Sequence, residues 1–395
     1  MSKLYQLPDG WELGELKTVC TFINGRAYKQ AELLSDGKYP VLRFGNFFTN
    51  NSWYYSDLEL PRDKYCDQGD LLYAWSASFG PKIWDGVKSI FHYHIWKIEP
   101  DYSAVTKLYL YWLLYWDVNQ IKADFGSGTT MIHVTKGAIE SRKVPLPPIP
   151  EQKRIVQKLD ALFERVDKAI ALLQKNIAAA DNFMNSVLND VFSDLEQNHS
   201  SRAIKLFAHV GTGVTPLKTN QAYYDNGTIN WITSKFTGEP YVNKADELIT
   251  ALALNECRLT LNPIGTLIVA LYGQGKTRGQ VSELMIEAAT NQAVATILVD
   301  NSKCINKYLK WYFKKSYLEL REKSNGGTQQ NLNLSIIKST LVPLPEDLSI
   351  QQKIVAYLEG LSIQIEQVKS AQQQKMQNLL GLKLSILDQA FHGKL

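Results

Sequence analysis

The stretch from Val144 to Val191 constrains the chain more than any other. It begins Val144-Pro145-Leu146-Pro147-Pro148-Ile149-Pro150-Glu151 and then runs to Val191 without a proline or a glycine. Prolines 145, 147, 148 and 150 lack an amide donor and hold φ fixed, which predicts an extended lead-in. Glu151 sets a negative charge where the dipole of a starting helix favours one. Apolar residues then fall at Ile155, Leu159, Leu162 and Val166, and again at Ile170, Leu173, Ile177, Ala180, Met184, Val187 and Val191, in alternating steps of 4 and 3. The extra 4-step between Val166 and Ile170 is a stutter that locally unwinds a supercoil without ending its seam. A rod of this kind, roughly 60 Å long at 1.5 Å per residue, has an apolar stripe that something must cover.

The cover is expected from the chain itself. Val342-Pro343-Leu344-Pro345 repeats Val144-Pro145-Leu146-Pro147, and Gln352-Lys353-Ile354-Val355 matches Lys153-Arg154-Ile155-Val156. Leu358, Leu361 and Ile365 stand where Leu159, Leu162 and Val166 stood, and Ser385-Ile386-Leu387-Asp388 with Phe391 answers Ser186-Val187-Leu188-Asn189 with Phe192. A repeat this long is a single duplication rather than a solenoid. Antiparallel packing of the two helices would pair residues whose numbers sum to about 545, bringing Ile155 to Ala390, Val187 to Leu358 and Asn176 to Lys369 or Gln372. Parallel packing would instead pair residues a constant distance of about 199 apart.

Each helix follows a block of ordinary globular composition, with 45% apolar residues in a chain of 395. The expected organisation is α+β: a mixed α/β domain over 1–143, a boundary and helix over 144–195, a second such domain over 196–341, and a boundary and helix over 342–395. The first block has strand-like runs at Tyr39 to Phe44, Asp70 to Trp75 and His94 to Ile98, and helical periodicity over 105–123 with Val105, Leu108, Trp112, Tyr115 and Ile121 on one side. The second repeats that order weakly: Tyr308-Leu309 and Trp311 follow Tyr109-Leu110 and Trp112, and Gly326-Gly327-Thr328 follows Ser127-Gly128-Thr129. It also carries most of the positive charge, with 16 Lys+Arg against 10 Asp+Glu in 201–345. Such an excess is compatible with nucleic acid but does not by itself identify it. No apolar run has transmembrane length, the N-terminus has no signal-type core, and the four cysteines lack metal or redox spacing, so a cytoplasmic protein with reduced thiols and no membrane partner is expected.

The order of block, proline-rich boundary, long helix, second block and second helix resembles the specificity subunit of type I restriction–modification enzymes. The resemblance rests on Val144–Val156 and its helix, on Val342-Pro-Leu-Pro345 through Gln351–Val355, on Thr215-Pro216 with Tyr224-x-x-Gly227-x-Ile229-x-Trp231, and on Gly327-Thr328. The first domain departs from it, with Gly25-Arg26-Ala27-Tyr28-Lys29 in place of a Thr-Pro loop, and Gln372-Gln-Gln-Lys375 interrupts the second stripe. The resemblance implies two target-recognition domains held apart by antiparallel helices, pseudo-twofold, that read a split duplex-DNA site and have no catalytic role. It also implies two methyltransferase subunits docked along the helices, which bind S-adenosylmethionine and methylate adenines, and two motor-nuclease subunits using ATP and magnesium. No cofactor is expected on this chain. Independently of family, two readers on one rod turn weak readouts into an avid one. Half-site centres about 34–36 Å apart would face one side of the duplex.

Base reading calls for Arg or Lys toward guanine and Asn or Gln toward adenine. The loop candidates are Arg26, Tyr28, Lys29, Arg43, Asn46, Ser78 and Lys82 in the first domain, and Lys218, Ser234, Lys235, Tyr272, Gln274, Lys276 and Arg278 in the second. For each, a phosphate contact or a solvated loop side chain remains the alternative. Ala270-Leu-Tyr-Gly-Gln-Gly-Lys276-Thr277 is similar to a phosphate-binding loop but has alanine where the first glycine belongs. His92 and His94 share one side of a strand without a third ligand, which favours structural histidines over a metal site. No nucleophile triad, carboxylate pair or methyltransferase motif is evident. A coiled-coil adaptor binding only proteins is the competing class, and steep salt dependence of duplex binding separates the two.

Overall fold

The computed structural model describes residues 7–76, 79–125, 134–273, 275–323 and 331–395. Ser78, Gln274 and the paired Gly-Thr motifs near 128 and 327 lie outside these residues. The chain divides into two compact units, Met1–Leu173 with Gln373–Leu395 and Gln174–Gln372. Among the described residues no helix is long and apolar enough to cross a membrane.

In the first unit an antiparallel sheet runs in the order Cys20–Asn24, Ile95–Pro100, Leu71–Ala74, Gly80–Ile83. A second sheet runs Tyr54–Ser56, Tyr39–Leu42, Ser89–Phe91, Tyr65–Cys66, with the middle pair parallel, Val41 opposite Ile90. The strands expected from the sequence are present, but the first stops at Leu42, and Phe44 opens the short helix Phe44–Thr49. The helix expected over 105–123 is Lys107–Phe125, and its buried face differs from the expected one. Tyr109, Leu110, Leu113, Leu114 and Trp116 are buried, whereas Leu108 and Tyr115 are exposed. This helix is apolar nearly all round, so its periodicity did not determine which side faces the core.

The second unit repeats the design. Its main sheet runs Ala208–Thr212, Val294–Val299, Leu267–Ala270, Val281–Leu284, Tyr241–Val242, and a smaller sheet joins Glu247–Ile249, Ile229–Ile232 and Ala289–Thr290. Trp231 pairs in parallel with Ala289 as Val41 does with Ile90. The segment similar to a phosphate-binding loop joins the antiparallel strands Leu267–Ala270 and Val281–Leu284. No helix follows it, so the positive helix end that would hold a phosphate is missing.

The two long helices are Ile149–Asn198 and Leu348–Phe391. The first begins two residues earlier than the proline pattern suggests: Pro150 lies in its first turn, where a missing amide costs no hydrogen bond. In the first unit Ile155, Val156, Leu159 and Phe163 share a core with Ile386, Leu387, Ala390 and Phe391. In the second, Leu188, Phe192 and Leu195 share a core with Val355 and Leu358. Both segments run antiparallel, as expected. The ion pairs Asp167–Lys383 and Asp181–Lys369 each have residue numbers adding to 550, about a turn beyond the expected sum, because they flank the apolar seam. Lys369 thus turns to Asp181 and Glu366, and Asn176, expected opposite Lys369 or Gln372, is exposed.

One polar device appears twice. Gln152 is fully buried; its Oε1 accepts from Thr106 N at 2.8 Å and its Nε2 donates to Ala104 O and Pro147 O at 2.9 Å each. Gln351 does the same in the second unit, accepting from Ile305 N at 2.9 Å and donating to Lys303 O and Pro345 O at 3.0 and 2.9 Å. Tyr109 and Tyr308 donate to the carbonyls of Pro145 and Pro343 beside them. Each proline-rich boundary is therefore bolted to its own domain, and each long helix leaves its domain at a set point.

Candidate nucleic-acid interface

Three loops of the first unit converge on a fourth, the turn His92-Tyr93-His94. Gly25 N donates to Ile95 O at 3.2 Å, Arg26 N to Phe91 O at 3.1 Å, and Tyr93 N back to Arg26 O at 3.1 Å. His92 N reaches Leu42 O at 2.8 Å and Trp75 N reaches His94 O at 3.0 Å. These bonds tie the loops after strands Cys20–Asn24, Tyr39–Leu42 and Leu71–Ala74 to the connection between Ser89–Phe91 and Ile95–Pro100. Aromatic contacts follow: Tyr28 lies 6.3 Å from His92, Phe44 5.7 Å from His94, and Trp75 5.0 Å from His94.

The second unit uses the same hub with other side chains. Val214 N donates to Thr290 O at 3.1 Å, Asn291 N to Ile232 O at 3.0 Å and Leu271 N to Ala293 O at 2.8 Å. Asn291-Gln292-Ala293 therefore occupies the place of His92-Tyr93-His94, and Thr215 Oγ1 lies 2.6 Å from Gln292 Oε1. Gly25 and Gly213 mark the tightest points. A Cβ would stand 2.3 Å from His92 O at the first and 1.6 Å from Thr290 O at the second.

The expected site residues divide by what already holds them. Arg26 forms a two-point pair with Glu32, at 3.1 and 2.8 Å, and lies over Tyr28. Tyr28 is half-buried, its hydroxyl 3.4 Å from Phe91 O. Arg43 sits over Tyr54, and Lys82 bonds Phe47 O and Asp85. In the second unit Lys218 is paired with Glu247 over the rings of Tyr224 and Trp231, and Lys235 is paired with Asp246. Lys29, Tyr272 and Lys276 are exposed, and Ser234 is half-buried.

Two candidates are buried. Asn46 is 3% exposed; its Oδ1 accepts from Arg43 N and its Nδ2 donates to Val41 O, so it caps the helix Phe44–Thr49 instead of presenting an amide. Arg278 is 9% exposed and lies within the 271–280 connection. A residue the sequence reading missed, Arg321, braces that connection, donating to Arg278 O at 3.0 Å and Gly275 O at 2.7 Å, while Tyr317 bonds Lys276 O. No local signal links Arg321 to a loop so far away in sequence.

Burial pushes the thiols of Cys20, Cys66 and Cys304 up to about 12, so they stay protonated near neutral pH. Burial, together with the neighbouring His94 and Arg43, lowers His92 to about 4 and keeps it neutral. Among the described residues no cluster of three or more His, Cys, Asp or Glu could hold a metal.

Two homologous α/β units, each with a four-loop hub and a proline-rich boundary bolted to a long helix, define a duplicated recognition protein. Residues 8–178 and 198–376 each match the type I restriction modification DNA specificity domain. The chain belongs to that family, the specificity subunits of type I restriction–modification systems, and carries two target-recognition domains. It is 24% identical to the EcoBI specificity subunit of Escherichia coli over 99% of this chain and 88% of that protein. It is 25% identical to the MjaVIII specificity subunit of Methanocaldococcus jannaschii over 96% and 94%. Among solved structures, a chain of a type I R-M system studied for its assembly and conformational transition superposes with a TM-score of 0.75 at 21% identity, covering 99% of this chain and all of that one. The HsdS subunit of Thermoanaerobacter tengcongensis gives 0.54 at 20% identity, over 100% and 99%. These likenesses extend the shared fold to the whole chain.

Proposed function

We propose that this chain is the non-catalytic DNA-reading subunit of a type I restriction–modification complex, binding a split duplex site with one half-site per target-recognition domain. The long helices set the spacer and dock two methyltransferase subunits. S-adenosylmethionine, ATP and magnesium belong to the methyltransferase and motor-nuclease partners, and Lys29, Lys276, Tyr272 and the cations over aromatic rings meet the DNA. The observation that carries this reading is the repeated four-loop hub, which keeps its backbone bonds while its side chains change. A scaffold conserved around divergent polar loops is what two readers of different half-sites require.

Titration of a labelled duplex carrying the selected site, at several salt concentrations, tests it. Binding is expected to fall steeply with salt, and to collapse when one base pair is added to the spacer. Salt-insensitive binding, or indifference to the spacer, would overturn the reading in favour of a protein-binding adaptor.

A second expectation concerns the carboxylates that hold the recognition cations. Glu247 and Asp246 pair with Lys218 and Lys235 at exposed positions, so phosphate must displace them. Glu247→Gln or Asp246→Asn is expected to strengthen binding to random duplex and to steepen the salt slope by about one. Fluorescence anisotropy on non-cognate DNA measures both.

A further inference from the structure

The turn His92-Tyr93-His94 was legible in the sequence only as a pair of structural histidines, yet in the fold it is the point where every loop of the first hub meets. Its backbone bonds to Arg26 and Leu42 and accepts from Trp75. Trp75 also donates from Nε1 to Tyr93 O at 2.7 Å, fixing the turn from beneath. His94 is packed between Phe44 and Trp75, while Tyr93 stays 40% exposed. His92 is half-buried, and its Nδ1 faces the amide of His94 at 3.4 Å as an acceptor. That contact places the imidazole proton on Nε2. The arginine beside it, Arg26, is engaged at two points by Glu32. The hub thus presents one neutral ring donor and one exposed phenol on a rigid base, with Arg43 over Tyr54 close by.

We propose that His92-Tyr93-His94 is the base-reading element of the first target-recognition domain, with His92 donating from Nε2 to the N7 of a purine in the major groove. Tyr93 packs against the neighbouring base, and His94 positions the turn. N7 is the acceptor common to adenine and guanine, and a single N–H donor selects a purine over a pyrimidine there. The neutrality of His92 at physiological pH fits this role, because a charged ring would be drawn to phosphate on any sequence. In the second domain Asn291 stands at the position of His92 and Gln292 at that of Tyr93, so the same place carries amides suited to a different base. This inference rests on the DNA-binding reading above.

Selection of duplexes from a randomised library by the full chain, assembled with its methyltransferase subunits, tests it. His92→Ala and Tyr93→Ala are expected to relax preference at one or two positions of one half-site. Each should weaken binding to the original duplex roughly 10- to 100-fold and leave the other half-site unchanged. His92→Asn, the residue the second domain uses, keeps a side chain in the turn should His92→Ala fail to fold, and is expected to shift preference at the same position. Replacing the contacted purine by its 7-deaza analogue should weaken the wild type as much as His92→Ala does, with no further loss when the two changes are combined. Variants that keep the wild-type motif, or that lose binding equally on all duplexes, would overturn the assignment. A wild-type complex that selects no motif would overturn the DNA-binding reading itself, which sets the two failures apart.

Discussion

Replacing Gln152 by alanine is expected to lower the stability of the first unit by about 3 kcal/mol, a fall of ~10 °C in melting temperature for a unit of this size. The side chain is fully buried and serves three backbone groups, of Ala104, Thr106 and Pro147, none of which gains another partner when it is removed. Each orphaned buried group costs roughly 1–3 kcal/mol, and partial relaxation around the cavity keeps the total near the lower end of the sum. Gln152→Glu keeps the shape but loses both N–H donors, so a loss of similar size is expected. Gln351→Ala should do the same to the second unit, through Lys303, Ile305 and Pro345. Calorimetry of the three variants provides the check. A melting temperature within ~2 °C of wild type would mean that the boundary is held by its prolines and tyrosine alone.

Gly213→Ala is expected to disable one half-site while sparing the other. The added carbon would sit 1.6 Å from the carbonyl oxygen of Thr290, a distance no backbone adjustment of a few tenths of an ångström relieves. The loop must therefore move, breaking the 3.1 Å bond from Val214 N to Thr290 O and carrying Thr215 away from Gln292. Strain of about 3 kcal/mol is the cost if the loop stays, and a displaced reading loop is the outcome if it moves. Affinity for the cognate duplex should fall about 100-fold or more, because a shift near 1 Å removes base contacts worth 1–3 kcal/mol each. Gly25→Ala is the counterpart in the first unit, and Gly45→Ala, whose Cβ meets nothing within 4 Å, is the silent control. Competition binding with half-site variants distinguishes a local lesion from general loss; unchanged affinity in Gly213→Ala would show that this loop does not touch DNA.

The architecture was legible in the sequence for definite reasons. Proline runs and 4–3 spacing are local signals, and a duplication supplies each twice, so both long helices followed from residues such as Ile155, Leu159 and Leu358, while their opposed direction came from the family resemblance. The buried face is wider than the expected seam, with Phe163, Leu188 and Phe192 buried as well, because the domain cores cover the helices as well as the partner helix does. Loop locations were also legible, since turn residues announce them. What each side chain does there was not. Asn46 looks like an adenine reader until the cap it forms is seen, and Arg26 looks free until Glu32 is placed beside it. The hub at His92 depends on parallel pairing of Val41 with Ile90, a register between distant segments that no local pattern encodes.

The core that Ile386, Leu387, Ala390 and Phe391 complete belongs to the unit that starts the chain, whereas Gln174–Gln372 is uninterrupted. During synthesis, then, the later-made module has all its parts first. The earlier-made one keeps an open apolar flank until residues 386–391 are added, a state in which exposed apolar surface favours misassembly.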